Sequence, residues 1–188
     1  MNKGFTLIEL LVVIAIVAVL AAAVVLTLNP AELLRQTRDA TRISDLSTIR
    51  SALALYLADV STPAMGTATN CYVNPAIGAG SACLARFAGG TNTIVASVAI
   101  DGTGWVPVNL TGISSGPPIS SYPIDPVNNT TALFYAYRNG GTGNLQFEVN
   151  AIMESAKYSN GGADDVETND GGNNVNLYEV GTHPGLAL

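Results

Sequence analysis

The pattern of hydrophobic and polar positions divides the chain into three parts. Residues 5–28 are almost all apolar, and Glu9 is the only charged residue among them. Residues 29–60 place apolar side chains at every third or fourth position, which is the spacing of an amphipathic helix. Residues 61–188 contain short apolar runs separated by glycine, proline, asparagine and serine. The pattern predicts a long N-terminal helix followed by a β-rich head.

The apolar run is long enough to span a membrane. At a rise of 1.5 Å per residue, a helix over residues 5–28 reaches about 36 Å, against a hydrocarbon core of about 30 Å. The apolar part of a secretory signal is shorter, about 7 to 15 residues. Ala21, Ala22 and Ala23 nevertheless offer a small-residue site for conventional signal peptidase, so a cleaved signal is the alternative. A carboxylate in a bilayer is costly, so Glu9 marks a position that the protein needs.

A break is predicted between the apolar run and the amphipathic segment. Asn29 fits an N-cap, Pro30 fits the first helical position and Glu32 fits the third, an arrangement similar to a capping box. Proline cannot donate a hydrogen bond to the preceding turn. We therefore expect the helix to bend or melt briefly at Asn29 and Pro30 and to restart directly afterwards.

The amphipathic helix has one apolar stripe that a sheet must cover. The stripe consists of Ile43, Leu46, Ile49, Leu53, Tyr56 and Val60. The charged residues of the same helix are expected on a solvated face, where exposed ion pairs contribute well under about 1 kcal/mol each. The alternative is that they form, as a group, ion pairs between copies of the chain. These residues are Arg35, Arg38, Asp39, Arg42, Asp45 and Arg50.

Two pairs of strands are predicted in the head. Residues 93–100 and 104–110 are rich in β-branched side chains and flank an Asp-Gly-Thr-Gly turn, although Pro107 favours an edge strand. Residues 132–138 and 145–153 flank Asn-Gly-Gly-Thr-Gly-Asn and form the clearest hairpin. We expect an α+β fold, in which an antiparallel sheet of about four strands covers the second helix.

The residues around Glu9 resemble a known processing and assembly motif. In the sequence Lys-Gly-Phe-Thr-Leu-Ile-Glu-Leu-Leu, a short basic leader ends in Gly4, the aromatic Phe5 follows, and Glu9 stands four positions later. This arrangement is similar to that of the type IV pilin superfamily, which includes the pseudopilins of type II secretion. The resemblance extends over about the first sixty residues and implies the pilin fold, with a long N-terminal helix packed on a sheet.

The resemblance also implies how the chain is processed and divided. A prepilin peptidase would cut after Gly4, and the amino group of Phe5 would then be N-methylated. The implied parts are a leader (1–4), a transmembrane and filament-core helix (5–28), an amphipathic helix (29–60) and a globular head (61–188).

Glu9 is expected to fix the register between subunits of a filament. An isolated carboxylate low in a bilayer must gain a proton or meet a cation, and the amino group of Phe5 in a neighbouring subunit is a suitable partner. One polar residue fixes register in coiled coils in the same way. The alternative is a glutamate that reaches water at the membrane surface. The resemblance further implies an inner-membrane assembly platform with an ATPase motor as partners, and membrane lipid before assembly.

The distribution of basic residues conflicts with the orientation that the resemblance implies. Lys3 precedes the apolar run, whereas Arg35, Arg38 and Arg42 follow it, and the positive-inside rule would place the head in the cytoplasm. The resemblance implies a single-pass protein of the inner membrane with its head outside, and later a surface pilus or a periplasmic pseudopilus. We follow the resemblance, because the head has the composition of an exported domain.

Cys71 and Cys83 are the only cysteines, and they lie in a stretch with little apolar content. A disulfide between them would close a short loop and stabilise the head by about 3 kcal/mol in an oxidising compartment. Two unrelated buried thiols are the alternative. We expect the disulfide, since an exported head would meet oxidising conditions.

The charge balance argues against a nucleic-acid site. The net charge is −6, with 8 basic and 14 acidic residues, whereas affinity for nucleic acid depends on lysine and arginine.

The tail contains Asp164, Asp165, Glu167 and Asp170 in a glycine-rich segment, where oxygen ligands could hold Ca²⁺. The spacing is not that of an EF-hand, and a solvated acidic loop is the alternative. Major pseudopilins carry a calcium site in their C-terminal loop, so the resemblance adds to this expectation.

Two further motifs have local explanations. Residues 122–129 resemble the Tyr-Pro and Asp-Pro-Asn segments of major pseudopilins, but turn chemistry alone accounts for such residues. Residues 112–116 match the Gly-x-Ser-x-Gly pattern of hydrolases, yet Pro117 and Pro118 exclude the helix that should follow. His183 is the only histidine. We therefore expect no catalytic residues and no enzyme.

Two hypotheses remain for the function. The first is a structural subunit of a type IV pilus or a related pseudopilus. The second is a monomeric, membrane-anchored or secreted β-rich binding module. The N-terminus of the processed protein distinguishes them, because Phe5 supports a filament subunit, Val24 a cleaved signal and Met1 a plain anchor.

Overall fold

The computed structural model describes residues 4–68, 70–74, 86–87, 90–128, 132–140, 143 and 145–188. Helix α1 is Leu7–Leu28 and helix α2 is Pro30–Asp59. The side chain of Thr6 accepts a hydrogen bond from the backbone of Glu9 and begins α1. The two helices are separated only by Asn29.

Asn29 gives the helix break its geometry. Its backbone has φ 39° and ψ 74°, a left-handed conformation that asparagine tolerates better than most residues. Its side-chain oxygen accepts a hydrogen bond from the backbone N–H of Glu32 at 3.4 Å, while Pro30 occupies the start of α2. Asn29 therefore ends α1 and begins α2.

Within the described residues the head contains one sheet of five strands. These are β1 (Asn70–Val73), β2 (Thr91–Ile94), β3 (Ala136–Asn139), β4 (Phe147–Ala151) and β5 (Tyr178–Gly181). Their order across the sheet is β2-β1-β3-β4-β5, and all neighbours are antiparallel except β1 and β2, which are parallel. The predicted α+β class is confirmed, with a sheet that is mostly rather than wholly antiparallel.

The hairpin predicted for residues 93–100 and 104–110 was wrong. Only Thr91–Ile94 is a strand there, and the rest is held by an isolated bridge between Asp101 and Asn109 and a few backbone hydrogen bonds. The physical reason is burial: a surface hairpin alternates buried and exposed residues, but this segment fills the core with successive side chains. The fully buried residues are Trp105, Val106, Val108 and Leu110.

The core lies between α2 and one face of the sheet. Tyr72, Tyr137, Val149 and Val180 form a row across β1, β3, β4 and β5, because each is paired in register with the next. The hydroxyl of Tyr137 donates to the backbone oxygen of Met65 at 2.8 Å, so its polar end is satisfied inside the core. The predicted stripe of α2 packs on this row through Leu46, Ile49, Leu53 and Tyr56, with Ile43 and Val60 half-buried at its ends.

The opposite face of the sheet has a smaller apolar cluster. Cys71, Val73 and Ala136 pack there with Phe87 and Phe134. The buried guanidinium group of Arg86 lies 3.8 Å from the centre of the Phe134 ring and donates to the backbone oxygen of the same residue at 2.8 Å. The sheet therefore buries apolar side chains on both of its faces.

Candidate functional site: the N-terminal helix and its junction with the head

The predicted cleavage site lies at an exposed end of the chain. Gly4 and Phe5 precede α1, and the Phe5 side chain is 88% exposed. A Cβ placed on Gly4 would meet no atom within 4 Å, so no described residue crowds this position. The backbone on both sides of the Gly4–Phe5 bond is accessible.

Glu9 and Thr6 form a reciprocal capping box at the start of α1. The Glu9 side-chain oxygen Oε2 accepts hydrogen bonds from the Thr6 backbone N–H at 2.8 Å and from the Thr6 hydroxyl at 2.7 Å. The Thr6 hydroxyl in turn accepts from the Glu9 backbone N–H at 3.3 Å. These contacts direct the carboxylate back toward Phe5, where a cut after Gly4 would place a free amino group.

Residues 7–24 of α1 present an exposed apolar surface. Residues 7–24 have a mean hydropathy of 3.1, and none of this segment is buried within the protein. Among the described residues it is the one helix long and apolar enough to cross a membrane. Since the core of the head is complete without α1, this helix is available for lipid or for another protein.

Arg42 lies at the centre of a buried ion-pair network that joins α2 to the head. Its Nε and Nη2 atoms donate to the two carboxylate oxygens of Asp125 at 2.6 and 3.0 Å. Its Nη1 atom lies 2.7 Å from carboxylate oxygens of both Asp39 and Glu154. The expected solvated face was therefore wrong for Asp39 and Arg42, which are fully buried.

The spacing of the apolar stripe contains the signal for this network. Leu46, Ile49 and Leu53 recur at intervals of three and four, and the same interval extended backward reaches Arg42 and then Asp39. These charged residues therefore lie on the buried stripe and not opposite to it. Their burial requires partners, and loops distant in sequence supply them.

The 154–156 segment is fixed to α2 at three points. Arg38 forms a two-pronged pair with Glu154, with distances of 2.9 and 2.7 Å. The carboxylate of Asp39 accepts from the backbone N–H of Ser155 at 2.7 Å, and that of Glu32 accepts from the backbone N–H of Ala156 at 2.7 Å. The first three turns of α2 are thus part of the head.

The electrostatics of the network favour the charged forms of Arg42 and Glu154. Burial opposes the charge of Arg42, but hydrogen bonds to Asp125, Asp39 and Glu154 outweigh it and raise the pKa of Arg42. The hydrogen bonds from Arg38 and Arg42 lower the pKa of Glu154. Asp125 also accepts from the backbone N–H of Val127 at 2.8 Å, so it combines turn formation with the ion pair.

The acidic residues of the tail mainly accept hydrogen bonds from nearby backbone. Glu167 is buried and accepts from the N–H groups of Met153 and Asn160, both at 2.9 Å. Asp165 accepts hydrogen bonds from the N–H groups of Gly161 at 2.8 Å and Thr168 at 3.0 Å. Asp170 accepts hydrogen bonds from the N–H groups of Gly172 at 2.8 Å and Glu179 at 2.6 Å. Asp164 pairs with Lys157 at 3.1 Å. Within the described residues no three acidic, histidine or cysteine side chains converge as metal ligands. Calcium binding stays a prediction.

The predicted disulfide involves one residue that the structure describes. Cys71 lies on β1 and is fully buried. Cys83 lies outside the described residues. The pairing of Cys71 with Cys83 therefore stays a prediction.

The hydrolase-like motif does not bring together a catalytic set in the described structure. The hydroxyl of Ser114 donates to Asp59 at 2.6 Å, and its backbone N–H donates to the same carboxylate at 2.6 Å. His183 accepts from the Ala187 N–H through Nδ1 at 3.3 Å. Ser114 is thus bound to the C-terminal end of α2, whereas His183 contacts a residue four positions further along the chain.

Two buried carboxyl groups on neighbouring strands could not be anticipated from sequence. Glu148 of β4 accepts from the Asn150 side chain at 3.0 Å and from the Leu188 N–H at 3.2 Å. Glu179 of β5 interacts with it, and both side chains are almost fully buried. Burial raises the pKa of Glu148 to about 8 and also raises that of Glu179. The two groups therefore resist simultaneous ionisation.

Comparison with known families gives one match, and it falls on the N-terminal segment. Residues 1–25 match the prokaryotic N-terminal methylation motif. This motif is the cleavage signature of type IV pilin and pseudopilin precursors. None of the curated proteins and none of the solved structures in the comparison matches the chain. The chain thus carries a prepilin signature on an α+β, pilin-like fold, as the resemblance of its first residues implies.

Proposed function

We propose that this protein is a structural subunit of a type IV pilus or a related pseudopilus, which is stored in the inner membrane and assembled into a helical filament. One observation carries the proposal: an apolar helix, unburied by its own head, begins with a cleavage motif and a single carboxylate. A helix with this surface needs lipid before assembly and other helices after it.

Processing would prepare the helix for assembly. A prepilin peptidase would cut the accessible Gly4–Phe5 bond and leave Phe5 as a methylated N-terminus. Glu9 would then lie within one helical turn of a cationic amino group. In a staggered bundle, the Glu9 carboxylate of one subunit would pair with the Phe5 amino group of the next, and a wrong stagger would leave both charges unpaired in an apolar core.

The head would form the coat of the filament. The network around Arg42 joins α2 to two loops of the head, so the head would move with α2 as one body. Asn29 would leave α1 some freedom to change direction relative to α2. An inner-membrane assembly platform with its ATPase motor would supply the force that draws the helix from the membrane.

The N-terminus of the mature protein tests this proposal. Mass spectrometry of the protein from its native host should find a methylated Phe5, and a Gly4→Val variant should keep Met1. Filaments isolated from the cell surface or the periplasm should contain the chain only when Phe5 is its mature N-terminus. A mature N-terminus at Val24 would instead support a secreted binding module, and Met1 in the unaltered protein would support a plain anchor.

A further inference from the structure

The first two turns of α2 expose two leucines directly beyond the apolar helix. Leu33 is 50% exposed and Leu34 is 61% exposed, although both belong to a helix whose other face is packed on the head. The side chain of Arg35, the next residue, is 52% exposed. We call residues 33–35 the membrane-proximal turn. It combines apolar side chains with a cation, which is the composition of segments that lie at a lipid surface.

The length of α1 places this turn at the level of the lipid headgroups. α1 has 22 residues, which at 1.5 Å per residue reach about 33 Å and match a hydrocarbon core of about 30 Å. The membrane-proximal turn begins five residues beyond Leu28, so at the helical rise it lies within about 8 Å of the end of α1. Headgroup regions begin at this distance.

The head is fixed so that a second cation lies near the same level. The hydrogen bond from the Ala156 N–H to Glu32 at 2.7 Å holds the 154–156 segment beside the first turn of α2. Lys157 follows directly and its side chain is 37% exposed. Arg35 and Lys157 have carboxylate neighbours, Glu32 at 3.8 Å and Asp164 at 3.1 Å. The Glu32 side chain is only 19% exposed, but it also accepts the hydrogen bond from Ala156, and its contact with Arg35 is long. Because the two cations themselves are exposed, lipid phosphates can compete for both.

We propose that the membrane-proximal turn docks on the anionic headgroups of the leaflet from which α1 emerges, while the subunit is stored in the membrane. Leu33 and Leu34 insert between headgroups, and Arg35 binds lipid phosphate. The contact keeps the head close to the membrane surface until assembly extracts the helix. This inference rests on the single-pass anchor of the proposed function, and it favours lipid over a second copy because the turn directly continues the span.

Fluorescence quenching in proteoliposomes tests the contact. The full chain would carry Leu34→Trp, and the matched control would carry Leu55→Trp, another partly exposed leucine of α2 that lies about 30 Å further along the helix. The vesicles contain phosphatidylcholine brominated near the headgroup, with or without phosphatidylglycerol. Trp105, which is fully buried in the head, also fluoresces. The emission of the parental protein in the same vesicles is therefore measured and subtracted.

The proposal expects bromolipid to quench the tryptophan at position 34 strongly and that at position 55 little. Phosphatidylglycerol should increase the quenching at position 34, and Arg35→Gln should remove that increase. Equal quenching at both positions, or no effect of anionic lipid, would overturn the proposal. A tryptophan at position 34 with blue-shifted but unquenched emission would also overturn the proposal. Its environment would then be apolar without lipid contact, which indicates that a second copy of the chain covers the turn. Extraction with carbonate reports separately on the anchor: a chain that washes off contradicts the proposed function as well.

Discussion

Arg42 and Asp125 form a two-pronged ion pair in which both side chains are fully buried, although 83 residues separate them in sequence. The pair holds the turn that contains Asp125 against the middle of α2. A buried charge that loses its partner is strongly destabilising, while the intact pair contributes less than its short distances suggest. The pair therefore acts mainly to specify where the loop docks.

Removal of one partner should destabilise the head severely. We expect Arg42→Ala to lower the free energy of unfolding by about 3–5 kcal/mol, because Asp39 and Asp125 would remain buried without a cation. Arg35→Ala should change it by less than about 0.5 kcal/mol, since the Arg35 side chain is exposed. Urea denaturation of the full chain in detergent, followed by the fluorescence of Trp105, measures both. Equal losses for the two variants would contradict the role of the network.

The helix break should depend on the left-handed backbone of Asn29. Asn29→Gly should cost only a few tenths of a kcal/mol, because glycine accepts this conformation and tolerates the N-cap position. Asn29→Val should cost about 1–2 kcal/mol, since a β-branched residue is strained there and cannot cap α2. Thermal unfolding by circular dichroism compares the two. A valine variant as stable as the glycine variant would show that the break does not need a left-handed residue.

The sequence predicts those parts of the fold that depend on residues close together in the chain. The interval between Leu46, Ile49 and Leu53 predicts the face of α2 that packs on the sheet. The glycine-rich sequence between β3 and β4 predicts their hairpin. These features follow from helical periodicity and from turn residues, which act over a few positions.

Long-range partners could not be predicted in the same way. Nothing local indicates that Asp125 meets Arg42, or that Glu148 and Glu179 become neighbours on β4 and β5. The segment around Trp105 has the composition of a strand, yet it fills the core without regular pairing. Tertiary packing overrode strand propensity there, because the space between α2 and the sheet had to be filled.

Stability should fall as pH rises from about 5 to 8. Burial raises the pKa of Glu148 to about 8, above the value of an unfolded glutamate, so the folded state keeps a proton that the unfolded state releases. The contribution of Glu148 to the free energy of unfolding is fully present below the pKa that this residue has in the unfolded chain. It is lost as the pH rises toward 8, with a slope of up to about 1.4 kcal/mol per pH unit. Glu148→Gln should make the slope shallower in denaturation experiments across this range.

A carboxylate with the opposite shift provides the control. The hydrogen bonds from Arg38 lower the pKa of Glu154, so its stabilisation is present near neutral pH and is lost as pH falls through the folded pKa. Glu154→Gln should therefore reduce stability near neutral pH and leave the slope between pH 5 and 8 unchanged. The same slope in the parental protein and in Glu148→Gln would refute the assignment to Glu148.

The predicted disulfide should be detectable directly. Intact-mass measurement before and after reduction should show a gain of two hydrogens, and alkylation without reduction should modify neither Cys71 nor Cys83. Cys83→Ser should lower the free energy of unfolding by about 3 kcal/mol, the expected effect of opening a short loop. Alkylation of both thiols in the native, unreduced protein would contradict the pairing.

The most direct test of the account is filament formation by Glu9→Leu in the native host, scored by electron microscopy of sheared filaments beside a Leu10→Ala control in the same helical turn. The Glu9→Leu chain should insert in the membrane and lose residues 1–4 normally, because the substituted helix is more apolar. It should nevertheless form no ordered filaments, while Leu10→Ala should form them. Ordered filaments of normal appearance from Glu9→Leu would contradict the claim that this carboxylate sets the stagger of the subunits.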